Sequence, residues 1–130
     1  MYRSRARLSR IWVLVFIALL GARNAYAQDP ELLWGKLQAG GNIVLLRHAQ
    51  TEPGSGDPPN YVLSDCTTQR NLSEAGREQA RRIGAAFRAR KVPVEEVLSS
   101  EFCRCLETAR LAFGKAEQWP MLNSIFENSA

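Results

Sequence analysis

The residues best equipped for chemistry are Arg47 and His48, adjacent at the end of an apolar run, and Arg104, which follows the paired serines Ser99 and Ser100. A neutral imidazole held at a rigid strand end can attack phosphorus. Guanidiniums beside it neutralise the phosphoryl oxygens as charge builds in the transition state, and their fork matches two phosphate oxygens. Alone, an Arg-His pair equally suits a strand end that caps a sheet or bonds to a loop. His48 is the only histidine of the 130 residues, and Cys66, Cys103 and Cys105 are the only cysteines. Cys103 and Cys105 are one residue apart rather than two, which does not suit a zinc-ligand pair, so no metal is expected.

These side chains need elements to hold them. Residues 42–49, NIVLLRHA, hold four consecutive apolar residues, Ile43 to Leu46, and then turn charged, the pattern of a strand buried on both faces of a parallel sheet. Residues 73–91 change to a helical period, with Gly76, Ala80, Ile83 and Phe87 on one stripe. Ser73 suits the N-cap, Glu74 the first turn, and Pro93 stops the helix. A short strand over 94–99 follows, then a second helix with Phe102, Leu106, Ala109 and Phe113 on its stripe and Gly114 at its end. Residues 52–60, rich in Pro, Gly and Ser, read as a mobile loop. Strand, loop, helix, strand, helix predicts an α/β fold, a mainly parallel sheet with flanking helices. Ligands of such sheets gather outside the carboxyl ends of the strands, where Arg47, His48, Ser99 and Ser100 fall.

Three motifs stand in order: R-H-x-x-T over Arg47–Thr51, L-[ST]-x-x-G-x-x-Q-A over 72–80, and S-S-x-x-x-R-x-x-x-T-A over 99–109. Together they resemble the successive signatures of the histidine phosphatase superfamily, also called phosphoglycerate-mutase-like. The resemblance implies that His48 is the nucleophile, forming a phosphohistidine that water hydrolyses, and that Arg47 and Arg104 build the phosphate pocket. It further implies that Arg70 reaches the substrate and that Thr51 orients the first loop. The implied ligand is a small phosphorylated substrate or inorganic phosphate, and no metal or organic cofactor is implied. Arg104 lies in the first turn of its helix, where the dipole and free N–H groups already favour an anion. The competing reading is a solvated helix-face arginine paired with Glu107 or Glu101.

Two departures accompany the resemblance. Ala49 stands where the family usually has glycine. The family also uses a second histidine and a downstream carboxylate that protonates the leaving group, whereas this sequence has one histidine, and Glu117 and Glu127 are candidates for the acid by chemistry only. The reading is therefore a domain incomplete at its C-terminus, either truncated from a longer phosphatase or naturally short and catalytically inactive.

Residues 1–27 carry Arg3, Arg5, Arg7 and Arg10, an apolar stretch from Ile11 to Leu20, and Ala25-Tyr26-Ala27. This is the layout of a secretory signal peptide, with an uncleaved anchor as the alternative. Export to the periplasm or outside the cell is expected, with no stable membrane insertion after cleavage and residues 28–130 as the histidine phosphatase domain. Of the 17 Lys and Arg residues, five lie before the cut and no acid does, leaving 12 basic and 13 acidic residues. The basic balance thus belongs to the leader, and no nucleic-acid surface is expected. In an oxidising compartment three cysteines suggest one disulfide and one thiol. Residues i and i+2 of a helix point about 200° apart, so either Cys103 or Cys105, not both, is expected to pair with Cys66.

Overall fold

The structure, a computed structural model, describes residues 29–123. The expected signal segment and Glu127 lie outside the described residues. Contacts divide the chain into two compact units between Leu33 and Trp34. Helix α1, Pro30–Gln38, begins with Asp29 Oδ1 accepting from the Glu31 N–H at 3.0 Å, which satisfies one of the donors that every helix start leaves open. All candidate site residues lie in the second unit.

The helix expected over 73–91 is α2, Glu74–Ala89. Ser73 Oγ accepts from the Gly76 N–H at 3.1 Å, as an N-cap should. The chain leaves the helix through Arg90 and then Lys91, whose φ of 53° turns it aside before Pro93. The face that α2 buries is Gly76, Ala80 and Gly84, a ridge of small residues four apart, whereas Ile83 and Phe87 of the expected stripe are only half-buried. The reason is closeness. A Cβ on Gly84 would stand 1.9 Å from the Ala112 carbonyl oxygen and one on Gly76 1.8 Å from that of Gln50. Phe87 packs at the rim, edge-on to both Trp34 and Phe113, with ring centroids 5.7 and 5.3 Å away.

Helix α3, Cys103–Phe113, is the partner of α2 and ends at Gly114, whose φ of 74° is the left-handed C-cap that glycine adopts freely. It buries Leu106, Ala109 and Ala112, but also Arg104 and Thr108. Strand β1, Leu98–Ser99, and strand β2, Glu117–Gln118, flank α3 and pair in parallel. The strand expected over 94–99 therefore contracts to two residues. Glu117, an acid by chemistry only, lies exposed in β2.

Residues 42–49 are not a strand, and the buried position expected for them is overturned for 42–47, while His48 is half-buried and Ala49 buried. Ile43 is 93% and Leu45 86% exposed. A strand is held by hydrogen bonds to its neighbours, and among the described residues no strand pairs with this run. The parallel sheet is thus a two-stranded one, and the α/β character rests on helices α2 and α3 with that small pair.

Cys66 and Cys103 are disulfide-bonded, with Cα atoms 5.6 Å apart, and Cys105 keeps a free thiol. The bond ties the 3-10 turn Cys66–Thr68 to the first residue of α3. Its removal by Cys66→Ser is expected to cost roughly 3–4 kcal/mol, read as a lower urea midpoint, whereas Cys105→Ala leaves the midpoint nearly unchanged. Gly84→Ala is expected to cost about 3 kcal/mol, the upper part of the overpacking range, because the atom in its way is backbone; chemical denaturation of both proteins measures it.

Candidate functional site

Four consecutive peptide groups after His48 are fixed by partners on three elements. The Ala49 N–H donates to Thr108 Oγ1 at 3.0 Å, and the Thr108 hydroxyl in turn donates to the Arg104 carbonyl one turn earlier at 2.7 Å. The Gln50 N–H donates to Gln79 Oε1 at 2.9 Å, and the Gln50 carbonyl accepts from the Ser73 N–H at 3.1 Å and the Ser73 hydroxyl at 3.3 Å. Thr51 forms an antiparallel bridge with Leu72, and the Glu52 N–H donates to the Asn71 carbonyl at 3.0 Å. Gly76 lets α2 approach this segment at all. The methyl of Ala49 is buried with Leu72 and Ala80, so an alanine after the histidine is accommodated in the core.

His48 is half-buried, and its Nδ1 lies 2.8 Å from the Ala49 carbonyl oxygen. A carbonyl only accepts, so Nδ1 carries the proton and the lone pair of the neutral ring lies on Nε2. Burial pushes the imidazole below its usual pKa of 6.5; the bond to Ala49 opposes this, and the charges of Arg104, Arg47 and Arg70 add to it. Three guanidiniums thus act on one neutral ring. Arg47 itself is exposed.

Arg104 is not a solvated helix-face residue. Its side chain is 8% exposed, and Nη1 lies 2.7 and 2.8 Å from the two carboxylate oxygens of Asp57, whose side chain is fully buried. The guanidinium carbon lies 4.3 Å from the centroid of the Phe102 ring, a cation–π contact. Glu107 instead holds Arg77 at 2.7 Å, and Glu101 accepts from the Asn123 side chain. Arg70 donates from Nη1 to the Gly54 carbonyl at 2.6 Å and from its main chain to Asp57 Oδ1 at 2.8 Å. The Nε groups of Arg70 and Arg104 are both buried without a hydrogen-bond partner. Unmet buried donors are costly, and in a native protein each asks for an explanation.

Several of these residues were not assigned from the sequence. Asp57 sits in the segment read as a mobile loop, yet its carboxylate is the counter-ion of Arg104. Thr108 carried a signal, since it stands four residues after Arg104 and so on the same helical face. Gln69 and Asp65 do structural work: Gln69 Oε1 accepts from the Cys103 N–H at 2.9 Å, capping the start of α3, while its Nε2 holds the Val62 and Leu63 carbonyls. Asp65 accepts from both the hydroxyl and the N–H of Thr67, which hold its carboxyl below the usual range. Among the described residues no group of three or more His, Cys, Asp or Glu side chains gathers as a metal site.

No curated protein and no solved structure matches the chain. A family model described as the histidine phosphatase superfamily, branch 1, matches residues 43–125, a span that holds His48, the three site arginines, Asp57, Thr108 and the disulfide. On that match, over more than half its length, the chain belongs to the histidine phosphatase superfamily.

Proposed function

We propose that this chain is the front part of an exported histidine phosphatase that hydrolyses small phosphomonoesters through a phosphohistidine at His48. The observation that carries the reading is a His48 ring whose Nδ1–H is held by the Ala49 carbonyl, so that the Nε2 lone pair is free, with burial and then the charges of Arg104, Arg47 and Arg70 favouring the neutral form. In the first step Nε2 attacks phosphorus, the N–P bond forms and the P–O ester bond breaks, and the leaving oxygen takes a proton from solvent water. In the second, water attacks phosphorus, phosphate leaves and the neutral imidazole returns. Arg104 and Arg47 stabilise the phosphoryl oxygens, Arg70 reaches the substrate, and Thr51 orients the loop that begins there.

The layout of residues 1–27 supports export, and among the described residues no helix is long and apolar enough to cross a membrane. The exposed run at Ile43–Leu46, apolar and unpaired, supports an incomplete sheet. The coding sequence after Ala130 tests this: an in-frame or frameshifted continuation encoding another strand and a histidine is the expected finding. The second reading is an exported protein that binds phosphate without turnover, and it is favoured by the presence of a single histidine.

Mixed with a generic phosphomonoester, the chain extended to full length is expected to trap acid-labile phosphate and His48→Ala to abolish the trapping. The present chain binds phosphate or vanadate under either reading, and Arg104→Ala is expected to weaken that binding roughly tenfold or more, the worth of one charge-assisted hydrogen bond. Identical titrations of variant and parent would count against the site.

Stability follows from the same ring. The folded pKa of His48 lies below its unfolded value near 6.5, so above that pH the ring is neutral in both states and contributes no pH dependence. As pH falls below 6.5 the unfolded chain takes up the proton first, and stability is lost until the folded pKa is passed. Urea unfolding at about pH 7.5 and about pH 5 is expected to show a smaller loss on acidification for His48→Gln than for the parent chain.

A further inference from the structure

We infer that Asp57 is a positioning residue of the anion pocket: its carboxylate grips the Arg104 guanidinium through Nη1 and the Arg70 backbone through its N–H, while the loop it anchors holds the Arg70 guanidinium at the Gly54 carbonyl, so that both arginines are set toward an incoming phosphoryl group. The inference rests on the phosphate-site reading above and names the residue that assembles that site.

Four observations carry it. Both oxygens of Asp57 engage the same Arg104 nitrogen, at 2.8 and 2.7 Å, which leaves Nε outside the ion pair. Oδ1 is shared with the Arg70 N–H at 2.8 Å, so one carboxylate joins two arginines that are 34 residues apart in sequence. The Nε groups left over, on Arg70 and Arg104, are the buried donors without a partner. Finally, the loop is shaped to deliver the carboxylate. Gly54 and Gly56 have φ of 128° and 69°, backbone that glycine adopts without strain, and the Gly54 carbonyl is itself held by Arg70 Nη1 at 2.6 Å.

A competing role for the same carboxylate is an internal placeholder that phosphate must expel. Burial argues against it, because the Asp57 side chain is fully enclosed, and expelling it from Arg104 would strand a charge away from water. It would also break the bond to the Arg70 main chain, which an entering phosphate does not replace at the same place.

The full chain has one histidine, so a single imidazole Hε1 resonance reports on the site. With inorganic phosphate as the probe, Asp57→Asn is expected to weaken binding roughly tenfold or more relative to the parent chain. In the absence of phosphate, the His48 pKa is expected to move up toward 6.5 in that variant, since Arg104 is no longer held beside the ring. A merely electrostatic role for Asp57 gives the opposite shift, because deleting a negative charge lowers the pKa of a nearby imidazole. Phosphate binding that is unchanged or tighter in Asp57→Asn, or a His48 pKa that falls, would overturn the inference. If Asp57→Asn does not fold, Asp57→Glu decides: it keeps the charge but moves it by one methylene, so weaker binding supports positioning and parent-like binding refutes it. A parent chain that shows no response to phosphate refutes the phosphate site, and the direction of the His48 pKa change in Asp57→Asn still judges Asp57 on its own.

Discussion

Main-chain groups taken from water must find partners, and that requirement governs the segment after His48 more than any other. Residues 49–52 have no strand beside them among the described residues, beyond the isolated bridge of Thr51 with Leu72. Their peptide groups are met instead by Thr108 from α3, Gln79 from α2, and Asn71 and Ser73 from the approach to α2. The segment is therefore a seam between two helices. Its path fixes where His48 stands, and the close approach that makes it work depends on Gly76, while the packing of α2 on α3 depends on Gly84. The helices determine the histidine's position, and a hydroxyl four residues after Arg104 transmits the register of α3 to it.

Charge is arranged around that seam in layers. His48 is kept neutral by burial and by Arg104, Arg47 and Arg70, which suits a group that must offer a lone pair. The buried Arg104 needs a counter-ion in turn, because an unpaired guanidinium at that depth would be strongly unfavourable. Asp57 provides it from a loop whose sequence reads as mobile. The same loop region is bonded to α3 a second time through Cys66–Cys103 and a third through Gln69 on the Cys103 N–H. The loop that carries Asp57 and the helix that carries Arg104 are thus tied together at three places, which sets Arg104 in place in advance of any ligand.

Much of this was legible in the residues, and the exceptions have physical causes. Helices α2 and α3 follow from their period, and Ser73 and Gly114 mark their ends because caps are local chemistry. The three ordered motifs lead to the superfamily to which the chain belongs. The stripe expected on α2 holds at Gly76 and Ala80 and departs after them: hydrophobicity points on to Ile83 and Phe87, but close helix contact selects for lack of volume, and Gly84 takes the buried place. Asp57 was invisible because long-range ion pairs leave no periodicity. The run at 42–49 has the composition of a central strand, yet composition describes a tendency, and a strand exists only with its neighbours.

That run has a consequence for how the protein behaves in bulk. Ile43, Val44, Leu45 and Leu46 present apolar side chains to solvent, on a backbone with no strand neighbour among the described residues. Such a stretch is a template on which another chain can add a strand. Colloidal stability then depends on what interrupts it, and the residue immediately following is the exposed Arg47. A charge flanking an unavoidable apolar strand acts as a gatekeeper against ordered aggregation. Arg47 therefore sits where a flanking charge opposes strand addition, besides contributing to the field at His48.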